Sequence, residues 1–159
     1  MVNMSKTRLI QGVELPVVKN EGATRLQWFA VYVAVLLTIL VLDMLWLGVV
    51  AKAWYEEGIG HLMAAPPNLA AAGAFYQFYP VGIIIFAIRP THASLVSKAA
   101  ITGALFGLFA YGTYDLSNLA TLQRWPVSLA LMDMTWGMFI SAAASATGML
   151  CLNMMRRRM

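Results

Sequence analysis

The chain has 159 residues, 60% of them hydrophobic and 11% charged, with a mean hydropathy of +0.70 and a formal net charge of +4. That balance excludes an ordinary soluble domain of this size and points to a polytopic membrane protein. The basic residues are scattered around the apolar runs and form no stripe with interleaved aromatics, which argues against a nucleic-acid partner.

The first 27 residues form a polar tail of mixed charge, with Gly12, Pro16 and Gly22 and no sustained helical period, so the tail is expected to be mobile on its own. Residues 28–151 hold four apolar runs long enough to span a bilayer, at about 28–51, 69–88, 99–119 and 127–151, and residues 152–159 form a basic C-terminal tail. Ala51-Lys52-Ala53 superficially resembles a signal-peptide cleavage site. The run before it is too long for that, and it contains Asp43 and Trp46, so the first span is expected to be retained. Between the first two runs, Trp54, Tyr55, Ile59, Leu62 and Met63 among Glu56, Glu57 and His61 suggest a short interfacial helix, broken by the Ala64 to Asn68 stretch. Asn68 is placed to cap the second span, Arg89-Pro90 to stop it, and Pro126 to sit in the first turn of the fourth. Trp28, Trp54 and Trp125 fall near span ends, where amphipathic rings prefer the interface. The fold class is therefore all-α, an integral membrane bundle of four transmembrane helices. Nine Lys and Arg residues lie in the two tails and the second loop, against Lys52 and Arg124 in the first and third. The positive-inside rule then puts both termini on the cytoplasmic or matrix side.

The chain's three aspartates, Asp43, Asp115 and Asp133, all lie inside apolar runs, whereas its four glutamates lie outside them. A carboxylate at membrane depth is costly unless paired, hydrated or protonated, and by default it marks a site. At 1.5 Å per helical residue, Asp43 lies about 12 Å, Asp133 about 9 Å and Asp115 about 6 Å from the outer ends of their spans. All three fall in the outer half, where a four-helix bundle can gather them into one polar chamber. At the same depth are Trp46, Tyr76, Gln77, Tyr79, Tyr111, Tyr114, Asn118, Thr135 and Trp136. Gly103, Gly107, Tyr111 and Asp115 recur every four residues, as do Asp133, Gly137, Ser141 and Ser145. Two such small-residue faces pack closely in lipid and turn their aspartates inward. The chamber reads either as structural, with the aspartates locking the bundle through Tyr, Trp, Asn and Gln partners, or as a binding site for a lipid headgroup, quinone, cation or other ligand.

Phosphate-binding glycine loops, HExxH and paired CxxC motifs are absent from the sequence, and no catalytic residue, metal site or cofactor is assigned. His61 and His92 fall on opposite sides of the membrane in this topology. Glu56, Glu57 and His61 read as a solvated loop face. Cys151 has no second cysteine to pair with, and the eleven methionines read as flexible packing.

Several stretches resemble a family of small predicted membrane proteins, the domain of unknown function 2177. They are Leu42-Asp43-Met44-Leu45-Trp46-Leu47-Gly48, Phe75-Tyr76-Gln77-Phe78-Tyr79-Pro80, Gly103-Ala104-Leu105-Phe106-Gly107, Tyr114-Asp115-Leu116-Ser117-Asn118-Leu119-Ala120-Thr121-Leu122 and Asp133-Met134-Thr135-Trp136-Gly137. The resemblance covers about Leu42 to Gly137, leaves the charged tail outside, and implies a four-helix membrane fold without an activity. With almost no soluble domain and apolar helix faces to spare, the expected role is a non-catalytic accessory or assembly subunit of a larger inner-membrane complex, bacterial or mitochondrial, with energy-converting complexes a natural host. Its expected partners are membrane lipids and other membrane subunits or further copies of itself. The alternative is binding of a lipid, quinone or small ligand, or ion- or proton-coupled transport, through the chamber.

Overall fold

The structure is a computed structural model that describes residues 8–10, 13–15, 23–91 and 95–158. The expectation of a mobile tail, and the placement of His92, fall largely outside the described residues; within the tail, Arg8–Ile10 pairs antiparallel with Val13–Leu15. The rest is helical. α1 covers Arg25–Leu45 and runs on through a π turn, Trp46–Val50; α2 covers Lys52–Ile59 and ends in a 3-10 turn, Gly60–Leu62. α3 covers Leu69–Ile83 with a π turn at Ile84–Ile88, α4 covers Val96–Thr121 and α5 covers Val127–Arg157.

Local chemistry sets these limits. Thr24 opens α1 with a reciprocal capping box: its hydroxyl accepts from the Gln27 amide at 3.3 Å, and Gln27 Oε1 accepts from the Thr24 amide at 2.8 Å. Asn68 Oδ1 caps α3 as its position suggested, accepting from the Ala70 and Ala71 amides at 3.1 Å each. α5 continues past the expected end at Cys151, and Arg156 and Arg157 in its last turn complement the helix dipole. Pro80 sits buried within α3. Lacking an N–H, it leaves the Tyr76 carbonyl without its usual intrahelical donor.

On α1, Gln27, Val31, Val35, Ile39 and Asp43 recur every four residues and are all buried, while Phe29, Leu37 and Val41 point outward and exposed. The core joins Val31, Val35 and Ile39 to Ile83, Ile88, Ile140, Ala144 and Met149. α5 is the central element, packed most extensively on α4 and next on α1. The α4–α5 contact rests on missing side chains. A Cβ at Gly107 would strike the Gly137 carbonyl, one at Gly103 would strike Ser145 and the Ser141 carbonyl, and one at Gly137 would strike the Tyr111 ring. These are the two small faces expected from the four-residue spacing.

α3 packs on α1, but its backbone approaches α4 chiefly through the π turn at Ile84–Ile88. Side chains continue the α3–α4 contact, with Phe86 stacked on Phe106 at 5.9 Å and Tyr79 meeting Phe106 and Tyr111, and then the two helices part toward the end of the bundle that carries α2.

Among the described residues, α1 with its π turn, α3 with its π turn, and α5 are long and apolar enough to cross a membrane. α4 has 26 residues, but its glycines, hydroxyls, Lys98 and Asp115 make it less apolar than the other three.

Candidate functional site

The parting of α3 from α4 leaves a cleft of about 390 Å³ at the α2 end. It is lined by Asp43 from α1 and Leu47 from its π turn, Tyr55 from α2, Ala72, Phe75 and Tyr76 from α3, Tyr111 and Tyr114 from α4, and Asp133 and Trp136 from α5. Every long helix contributes, and none of the lining residues is basic.

Asp43 and Asp133 are 3% and 7% exposed, and each is held by an aromatic donor from another helix. Trp136 Nε1 donates to Asp43 Oδ1 at 3.0 Å, with the Tyr76 hydroxyl also directed at that carboxyl. Tyr55 Oη donates to Asp133 Oδ1 at 2.5 Å. Burial first, and then the charge and hydrogen bond of Asp133, push the Tyr55 phenol far above its ordinary value of 10, so it remains a donor. The Trp136 ring is fixed in turn by Trp46, stacked at 4.2 Å with planes 4° apart, and Trp54 meets Trp46 edge-on at 6.3 Å. The π turn Trp46–Val50 follows Asp43 directly along the helix and carries Trp46 of this stack.

Asp115 is set apart. It is 0% exposed and does not line the cleft. Both of its carboxyl oxygens lack a hydrogen-bond partner among the described residues. The Trp125 indole lies close by as a donor without closing a bond. Trp125 in turn meets Tyr114 edge-on at 5.7 Å.

Of the other residues placed in the chamber by sequence, Tyr76, Tyr111, Tyr114 and Trp136 line the cleft, and Trp46 backs Trp136. Tyr79 lies deeper, its hydroxyl 2.8 Å from Ser141 Oγ, a bond between α3 and α5. Gln77 is exposed on the outer face of α3, where its carbonyl accepts from Tyr32 Oη at 3.4 Å. Asn118 lies one turn beyond Tyr114, outside the cleft. Thr135 turns its hydroxyl to the Leu131 carbonyl at 2.7 Å and takes no part.

Sequence reasoning did not assign Tyr55, Leu47, Ala72 and Phe75 to the site. For Tyr55 a signal was present. Tyr55 and Ile59 are four apart on one face of α2, and both turn in toward Trp125, Leu129 and Ala130 at the start of α5. Among the described residues, no three His, Cys, Asp or Glu side chains come together to hold a metal ion.

Residues 28–150 match the profile of a family described as a predicted membrane protein, DUF2177. No curated protein and no solved structure matches the chain.

Proposed function

As this chain belongs to the DUF2177 family of predicted membrane proteins, whose description assigns no activity, its role has to be read from its own site. We propose that it is a non-catalytic integral membrane protein that binds a membrane-soluble amphiphile in the cleft between α3 and α4. One observation carries this reading: the two helices part beside two buried, donor-held carboxyls, so a polar head can reach Asp43 and Asp133 while its chain lies in lipid. A cleft of about 390 Å³ with aromatic walls and a few convergent polar groups is of the kind that takes small ligands. Catalysis would need a positioned acid or base beside a reactive partner, and Asp43 and Asp133 face aromatic rings.

In this reading α4 is the third of four crossings. At about 1.5 Å per residue its 26 residues suffice for the span, and its small face seats it along α5. The Lys and Arg distribution supports both termini on the cytoplasmic or matrix side of an inner membrane, with the α2 end and the cleft in the outer half.

The test is to purify the wild-type chain and the Asp43→Asn/Asp133→Asn double variant in mild detergent and identify bound lipids, quinones and other amphiphiles by mass spectrometry. The wild type should retain a bound species that falls by about tenfold or more in a variant of unchanged helicity, a loss of about 1.4 kcal/mol. Equal retention, or a variant that simply melts lower with nothing lost, would return the aspartates to a purely structural role.

A second reading, an accessory subunit of a larger complex, is favoured by Gln77. Its amide is exposed on the α3 face that also carries Ala70, Gly73 and Ala74, and a polar group on an otherwise apolar small-residue face suits a protein neighbour better than lipid.

A further inference from the structure

The cleft's chemistry narrows what it can hold. This step rests on the binding role proposed above. Two carboxyls, Asp43 and Asp133, belong to the lining, and Lys, Arg and His are absent from it. Lys52, the nearest basic residue in sequence, is exposed and lies 3.8 Å from Glu56 across one turn of α2. An anionic head entering this cleft would therefore meet two acidic groups and no countercharge. A neutral head would gain hydrogen bonds but bring no countercharge to the two acids.

The walls add a second, independent preference. Tyr76, Tyr111, Tyr114 and Trp136 surround the two acids, and aromatic faces attract cations, most strongly when the cation is desolvated. The rings are fixed in place: Trp136 is stacked on Trp46, and Tyr111 meets Tyr79 edge-on at 6.2 Å. The acids are fixed as well, through the Trp136 and Tyr55 donors, so the site needs little reorganisation to receive a charge.

We infer that the ligand is an amphiphilic organic cation, a protonated amine or quaternary ammonium joined to an apolar chain. Its head sits between Asp43 and Asp133 within the aromatic walls, and its chain leaves between α3 and α4.

The experiment uses the full chain in uncharged maltoside micelles. Three probes share one chain length: dodecyltrimethylammonium, dodecanol and dodecyl sulfate. Each is titrated at low mole fraction against thermal unfolding and tryptophan fluorescence. The cation should raise the melting temperature saturably and perturb the Trp46–Trp136 emission, with an apparent affinity at least about tenfold above that of dodecanol and no saturable effect from dodecyl sulfate. Asp43→Asn/Asp133→Asn should abolish that preference. Because this variant removes two hydrogen-bond acceptors, Ala72→Trp is the companion. It fills the α3 side of the cleft without touching an aspartate, and it should block the cation while leaving the unliganded melting temperature close to wild type. Equal binding of dodecanol would overturn the cationic class and leave the amphiphile role standing. Undiminished cation binding by Ala72→Trp would overturn the location. Absence of saturable binding by any probe, with no co-purified amphiphile, would overturn both.

Discussion

Asp115 shows how differently three aspartates of similar sequence setting can fare. Asp43 and Asp133 each receive a hydrogen bond from an aromatic donor, whereas Asp115 is wholly buried with both oxygens unpartnered among the described residues. A buried polar group without a partner costs about 1–3 kcal/mol, and more if charged. Asp115→Leu keeps a similar shape and removes both unpartnered oxygens from the interior. It should therefore raise unfolding stability by about 1–3 kcal/mol, read from thermal or denaturant melts in detergent. A marked fall would mean that the carboxyl itself makes a stabilising contact. Counting residues in the sequence leads to the expectation that all three aspartates share one chamber at similar depth, whereas Asp115 lies outside the cleft. The sequence has no means of separating them, because the distinction depends on whether a Tyr or Trp from another helix reaches each one. Tyr55 reaches Asp133 from α2, in the first loop, and its spacing with Ile59 marks an inward face without naming that partner.

At the scale of elements, the α4–α5 pair was the most legible part of the fold. Glycine and serine every four residues leave one face of each helix nearly bare, and in lipid such faces associate through packing. The structure brings Gly107 against the Gly137 carbonyl and Ser141 Oγ, so an added methyl would press on backbone that cannot rotate away. Gly107→Ala should destabilise the bundle by about 1–3 kcal/mol, as overpacking of tight interiors does, with a lower melting temperature as the measurement. Gly48 and Gly73 have open space where a side chain would go, and the same change at either should fall within about 0.5 kcal/mol of wild type. The α3–α4 relation was not legible. Both helices carry aromatic and small residues, and periodicity says which way a face points but not where two helices separate. That separation begins beyond the Tyr79 and Tyr111 rings and depends on ring packing from Phe86 through Phe106.

For the whole molecule, the composition alone established a helical membrane protein, and the profile match over residues 28–150 agrees. Apolar side chains cover the outside of the bundle: Phe29, Phe78, Ile101 and Phe109 are all more than half exposed, as lipid-facing residues are. The exposed Gln77 amide is out of keeping with that surface. If α3 associates with a neighbour through this face, native mass spectrometry from mild detergent should find the chain in an oligomer or complex, and Gln77→Leu should weaken that species by about tenfold while sparing the cleft. A lone species of 17.4 kDa plus detergent in both proteins would remove the accessory-subunit reading.

The splay of α3 from α4 has a bearing on what concentration means for this protein. On the proposed binding role, a cleft at one end of the bundle with its opening between α3 and α4 would draw its occupants from a single leaflet, where abundance is a mole fraction in the surrounding lipid. An apolar chain raises that fraction with every methylene, by about 0.8 kcal/mol each, before any contact with the protein is made. Modest intrinsic attraction at Asp43 and Asp133 would then suffice for high occupancy. The protein would then respond to a compound dissolved in water only through the share that partitions into its own leaflet.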